Sequence, residues 1–513
     1  MNDKLNNAMN HISDQHLSET ENFKRPSRRP YWIVAAAAVL GLVIGLSAAD
    51  VLRSPADPTR PIMLDSRPDY SFTVPSHQST YPTAPEPGSI QSPDTWQLAN
   101  LVAAPEYPEM MQRPDSNGMA YSEYAALLDA WKQDQAAQYD QPQGYADSLT
   151  DFFRQSIPKF LDAEKNSTYS PANVYMALAL LAETTDGNSR QQILDLLGLE
   201  SIDQLREQVS HVWNAHYSDD GATTLLLGNS LWLSDNYSFK QACLDTLAET
   251  YYASSFYGPM GSEGFNEQLR QWINANTGNL LNEQAQALEM SPDTLFALAS
   301  TVYFSANWEN GFMDKLTEDK TFHSYGCDTV AAFMKDSFYG TYYQGTNFGA
   351  VALELSGENC MWLILPDEGY TVADILKSDE YLRLTTDPAG WSSQHGNIYI
   401  HLQVPKFDVS SDMDLVAGLK EMGITDVFDY KTSDFSTITD VPDLFVNKVS
   451  HAARVAIDED GCVAAAFIVT LVYAGSSFTT PVNEMDFVLD RPFLFVISSR
   501  DNLPLFAGTV VQP

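Results

Sequence analysis

The run Asp458-Glu459-Asp460-Gly461-Cys462-Val463-Ala464-Ala465-Ala466 most constrains what this chain can fold into. Glycine frees the backbone at a turn, and three alanines can be buried between existing strands at little steric cost. A strand that stays out of a sheet at one time and enters it at another needs these properties. Taken alone the run also suits a helix, because alanine is the best helix former. The residues that follow favour a strand. If Cys462 faces inward, Ala464, Ala466, Ile468, Thr470 and Val472 do too, while Val463, Ala465, Phe467, Leu471 and Tyr473 face out. No charged residue or proline lies between Cys462 and Tyr473.

Near the other end, residues 32–49 (WIVAAAAVLGLVIGLSAA) form an apolar stretch just long enough to span a bilayer. Lys24, Arg25, Arg28 and Arg29 precede it, and the flank after it is Pro-rich and acidic. The positive-inside rule then puts residues 1–30 in the cytoplasm, a signal-anchor helix at 31–49 and everything later outside the cell. Ser47-Ala48-Ala49 also resembles a cleavage site, and cleavage there would make the protein secreted. The long segment before the apolar run favours an uncleaved, single-pass anchor in the cell membrane.

Residues 50–145 read as an extended linker, holding about half of the chain's 27 prolines. One island, 121–139, has helical spacing at Tyr124, Leu127, Leu128 and Trp131. It could dock on the following domain or on the membrane, or form only a transient helix.

A compact domain is expected over 146–513. Residues 151–161 suggest an amphipathic helix interrupted by Pro158. Ser170-Pro171 opens a buried helix, with Ser as N-cap and Pro at its first position. Ser189 and Gln192 suggest a capping box for the next helix, and Gly198 its end. Strands are expected at 225–233, 299–305 and 398–404, with a hairpin joining 351–355 to 361–365. A short helix at 415–422 stops at Gly423. Helices and strands intermix without βαβ alternation, so the class is α+β.

Composition excludes several functions. The net charge is -38, from 67 acidic against 29 basic residues, and no basic, aromatic-laced patch follows the linker, so nucleic acid is not a partner. Cys243, Cys327, Cys360 and Cys462 form neither a CxxC pair nor a metal-ligand rhythm with histidine. Four free thiols are expected, with one disulfide as the alternative, and no metal or other cofactor. The motifs of serine hydrolases, zinc proteases and nucleotide-binding proteins are absent, which leaves no catalytic residues of its own.

Several segments from 146 onward, in order, resemble the serpin family of suicide-substrate protease inhibitors. Asn166 to Pro171, running on into Ala172-Asn173-Val174, is similar to the family's opening of its second helix. Gly187 to Ile193, Trp272-Ile273 with Thr277-Gly278, and Val302 to Trp308 are similar to later family segments. Val404-Pro405-Lys406-Phe407, Asp434-Phe435-Ser436, Val449-Ser450-His451 and Asp490-Arg491-Pro492-Phe493 complete the order. Each piece is weak alone, and the order is specific.

The resemblance implies the serpin fold: a large mixed central sheet, further sheets, surrounding helices and an exposed reactive-centre loop. It implies a bacterial, membrane-anchored or secreted monomer whose partner is a serine protease held in a covalent complex. Glu459, Asp460, Gly461, Cys462, Ala464, Ala465 and Ala466 would be the loop's hinge. Ser170, Asn173, Ser300 and His451 would be the shutter where the sheet opens. Asn173 stands where the family usually has a second serine, and Ser300 where it has asparagine. Cys462 and Phe467 are also departures, from Thr or Ser and from a small residue. Counting from Gly461 puts the reactive bond between Gly475 and Ser476, with Tyr473 and Ala474 as alternatives. No Lys or Arg lies between Arg454 and Arg491, so elastase- or subtilisin-like targets are expected and trypsin-like ones are not. A serpin-fold protein that is only cleaved as a substrate, or binds a ligand, is the alternative, and a surface adhesion protein a more distant one.

Overall fold

In a computed structural model the described residues are 38–48, 100–107, 114, 119–142, 144–220, 223–462 and 483–513. The chain divides into two compact units, Met1–Val34 and Ala35–Pro513. The first lies wholly outside the described residues.

Two large sheets and their helices build the second unit, the expected α+β architecture. The main strands of the first sheet are β1 (Ala38–Ala48), β2 (Asn100–Ala103), β3 (Thr223–Ser234), β4 (Ala253–Gly258), β5 (Thr294–Asn307), β6 (Phe407–Asp414), β7 (Leu444–Ile457) and β8 (Gly461–Cys462), and the short strand Ser218–Asp219 pairs with β3. Their order is β6-β7-β1-β5-β3-β4-β2, with β8 paired to β5. β3 and β4 are parallel and the other pairs along the path antiparallel, so the sheet is mixed. The second sheet runs from Glu484–Val488 through Gln394–Pro405, Asp328–Gln344, Phe348–Leu355, Asn359–Pro366, Phe493–Ser498 and Pro504–Val510 to Ser167–Tyr169. The expected hairpin lies within it: Phe348–Leu355 and Asn359–Pro366 are antiparallel partners joined by a short turn.

The helix at 121–139 forms as α1 (Tyr121–Tyr139) and buries Tyr139 beneath the Arg500 guanidinium. Next, α2 (Asp147–Phe160) turns Phe152, Phe153 and Ile157 inward. It is not broken at Pro158, which sits in its last turn, where Leu161 N still reaches Ile157 O at 2.9 Å. The central helix α3 (Pro171–Thr184) is buried at every residue and packs against both β5 and Pro504–Val510. Ala177 to Ala182 are apolar on every face, as burial all round favours, while buried Asn173 bonds Ser300 and buried Glu183 pairs with Arg206.

The helix Gly187–Leu197 ends as expected at Gly198, which is left-handed with φ 72°. Its cap differs from the expected box. Asp186 accepts from Gly187 N, and Ser189 lies inside the helix, its Oγ accepting from Asp434 N. Gln192 accepts from Thr425 N and Asp426 N instead of reaching back to a cap. Both side chains are recruited by distant backbone donors that would otherwise go unsatisfied.

The apolar run expected to span a membrane lies partly within the described residues. Residues 38–48 form β1, between β5 and β7 and antiparallel to both. Among the described residues no helix is long and apolar enough to cross a membrane. An uncharged, proline-free run requires only that its backbone be hydrogen-bonded and its side chains kept from water. A helix in lipid and a central strand both meet that requirement.

Candidate functional site

β7 climbs to a tight turn at Asp458–Gly461, closed by Asp458 N donating to Gly461 O at 3.3 Å and Asp460 N to Asp458 Oδ1 at 3.0 Å. Gly461 has φ 129°, and a Cβ there would lie 2.5 Å from Trp308 N. Only glycine fits this close backbone approach.

Trp308, buried at the end of β5, clasps the turn. Its Nε1 donates to Asp458 O at 2.8 Å, and its backbone N to Asp460 O at 3.3 Å. Phe312, packed edge-on against Trp308, donates its N to Glu459 O at 2.9 Å. The Glu459 carboxylate is buried, pairs with Lys406 and accepts from Thr317 Oγ1 at 2.6 Å. Burial alone would raise its pKa, but Lys406 and Thr317 outweigh that and hold it below the usual range. Partial burial raises Asp458, and the more exposed Asp460 is raised by partial desolvation together with the Asp314 and Glu459 charges nearby. The acidic triplet is therefore a fixed anchor. Beyond it, Gly461 and Cys462 already pair with Asn307 and Ala306 of β5.

Halfway down the sheet, Ser170, Asn173, Ser300 and His451 form one connected cluster. Ser170 caps α3, its Oγ accepting from Asn173 N at 3.2 Å. Asn173 Nδ2 donates to Ser300 Oγ on β5 at 3.0 Å, and Ser170 N to His451 Nε2 on β7 at 3.4 Å. His451 is fully buried beside the Tyr169 ring, and that burial pushes its pKa down to about 3. Among the described residues its Nδ1 and Asn173 Oδ1 have no hydrogen-bond partner. Since Nε2 accepts, the neutral ring carries its proton on Nδ1. The cluster ties α3 to the two strands that flank β1 using few and partly unsatisfied bonds, which suits a place where strands separate.

Ala464, Ala465 and Ala466, and the reactive-bond candidates Tyr473, Ala474, Gly475 and Ser476, lie outside the described residues. Cys243, Cys327 and Cys360 are free thiols. The sequence reading missed the clamp on the hinge. Lys406 and Trp308 lie within the serpin-like segments, but their pairing with Glu459 and Asp458 depends on separations of roughly 50 and 150 positions, which no local pattern encodes.

A family model described as Serpin (serine protease inhibitor) matches residues 148–513. The chain belongs to the serpin family. Serpins are non-enzymatic protease inhibitors. Alpha-1-antiproteinase 2 of Equus caballus is 27% identical over 382 residues, covering 72% of this chain and 87% of that protein. Leukocyte elastase inhibitor A of Rattus norvegicus is 26% identical over 360 residues, covering 68% and 93%. Among solved structures, the thermophilic serpin tengpin in its native state matches with a TM-score of 0.63 at 22% identity, over 73% of this chain and 95% of that one. That likeness shows the fold.

Proposed function

We propose that this serpin is a suicide-substrate inhibitor of serine proteases, carried outside the cell on its N-terminal apolar segment. The protease serine attacks the Gly475 carbonyl, the Gly475–Ser476 bond breaks, and the proton passes to the departing amine of Ser476. An ester then joins the protease to the loop. The freed strand enters the first sheet between β5 and β7 and draws the protease with it, as loop insertion does in serpins.

The observation carrying this reading is β8. Beyond a turn that only glycine permits, the chain has already begun to pair with β5, in line with the slot beside β7. An inserted strand of about twelve residues gains ladder bonds of roughly 0.5–1.5 kcal/mol each, on the order of 10 kcal/mol in all. Displacing one oxyanion-hole donor of the trapped protease slows deacylation by about 10²–10³.

Small residues around Gly475 and the absence of Lys and Arg favour elastase- or subtilisin-like targets. The name of the rat relative, an elastase inhibitor, points the same way. A substrate-only reading has one observation behind it: β1 fills the insertion slot. Incubation with elastase-, subtilisin-, chymotrypsin- and trypsin-like enzymes tests the proposal. An SDS-resistant complex with a non-tryptic enzyme is expected, whereas loop cleavage without any complex refutes inhibition. Protease shaving of intact cells should release the domain through the Pro-rich linker. A mature protein beginning at Asp50 in the medium would refute the anchor.

A further inference from the structure

Two segments of this chain fit one slot. β5 and β7 run parallel, so a strand pairing with both must oppose both, as β1 does. Leu40 pairs with Val302 and Ala453, Leu42 with Ser300 and His451, and Ile44 with Leu298 and Val449. β3 holds the opposite edge of β5 at Ala306, so β8, which also pairs there, lies on the β1 edge.

Extended residue for residue, the β8 register would bring Ala464 opposite Phe304, Ala466 opposite Val302 and Ile468 opposite Ser300. Those positions are held by Ala38, Leu40 and Leu42. β8 ends opposite Ala306 and β1 begins opposite Phe304, so the two lie end to end with only Ser305 between them.

Composition agrees with competition. Residues 38–48 (AVLGLVIGLSA) and 464–474 (AAAFIVTLVYA) are both apolar and free of charge and proline, as a central strand requires. The pairing of β1 with β7 slips just after Gly45, which faces Lys448 while Leu46 faces Val446. A strand glycine commonly marks such a bulge. The connection to β2 need cross only four strand spacings of about 4.8 Å, and residues 49–99, at roughly 3.3 Å each when extended, have ample length. Being tethered, β1 meets the slot at high effective concentration.

We infer that residues 38–48 act as an intramolecular plug of the reactive loop's insertion slot, so that the chain traps a protease only after this strand has left. The inference rests on the inhibitory reading above. It also makes anchoring and plugging mutually exclusive, since one segment cannot lie in a bilayer and in the sheet at once.

The test uses the full chain in detergent. Val43 and Ala299 are paired across β1 and β5. Val43→Cys with Ala299→Cys should form a disulfide on oxidation, located by peptide mapping, while Val43→Cys with Leu295→Cys should not. The locked protein should be cut in its loop without trapping the protease. Val43→Pro removes a strand donor but leaves the run apolar, and should raise the yield of covalent complex about tenfold. Failure of the Val43/Ala299 pair to close overturns the plug, and so does efficient trapping by the locked chain. Closure with no complex from either the locked or the proline variant keeps the plug and sinks the inhibitory reading.

Discussion

Replacing Gly461 with alanine strikes the hinge where the geometry is least forgiving. At φ 129° an L-residue is strained by about 1–3 kcal/mol. The new Cβ would also stand 2.5 Å from Trp308 N, 2.6 Å from Asn307 Cα and 2.8 Å from Ala306 O. These are backbone atoms and cannot rotate aside, so β8 must lift off β5 and lose its first pairing. If that strain is felt as the loop begins to insert, insertion slows by about 5- to 150-fold relative to deacylation, at a factor of ten per ~1.4 kcal/mol. The assay is the stoichiometry of inhibition, the moles of serpin consumed per mole of protease trapped. It is best measured in a chain that also carries Val43→Pro, where the slot is open. Gly461→Ala should raise it severalfold and lower the thermal midpoint, while Asp460→Ala at the exposed neighbour should do neither. If Gly461→Ala matches its parent in both measurements, the hinge geometry does not govern insertion.

Other expectations follow from the same parts. His451, with a folded pKa near 3 against about 6.5 unfolded, takes up its proton earlier in the unfolded chain. Its contribution to stability is therefore full above pH ~6.5 and is lost as pH falls toward 3, at up to roughly 1.4 kcal/mol per unit. Urea midpoints of wild type and His451→Gln across that range should differ in slope, and equal slopes would show that His451 is not the titrating group. Ala466→Arg, which would bury an unpaired charge on insertion, should abolish the covalent complex yet leave loop cleavage intact; persistence of the complex counts against insertion at that depth. Mass spectrometry of the small fragment released from a stalled complex should begin at Ser476, and stable inhibition of trypsin through this loop would overturn the placement of the bond.

Local signals in the sequence determined much of this protein. Ser170-Pro171 announced α3, Gly198 ended the helix it was expected to end, and the strands around Leu225–Leu233 and Ala299–Ser305 are the cores of β3 and β5. Each depends on neighbours a few positions away, where capping, periodicity and turn chemistry operate. The hinge glycine was legible for the same reason, since its need for positive φ is a property of its own backbone.

Tertiary structure decided the rest. Ser189 and Gln192 had the spacing of a capping box, yet distant backbone donors at Asp434, Thr425 and Asp426 claimed them. His451 depends on Ser170 and Tyr169, far off in the chain, to become a buried neutral ring. The apolar run at 38–48 shows the limit most plainly. Its composition records only that it avoids water and offers no charge, a demand that lipid and a gap between parallel strands both meet. What the run cannot record is the gap itself, because β5 and β7 and their common direction exist only once the domain has folded.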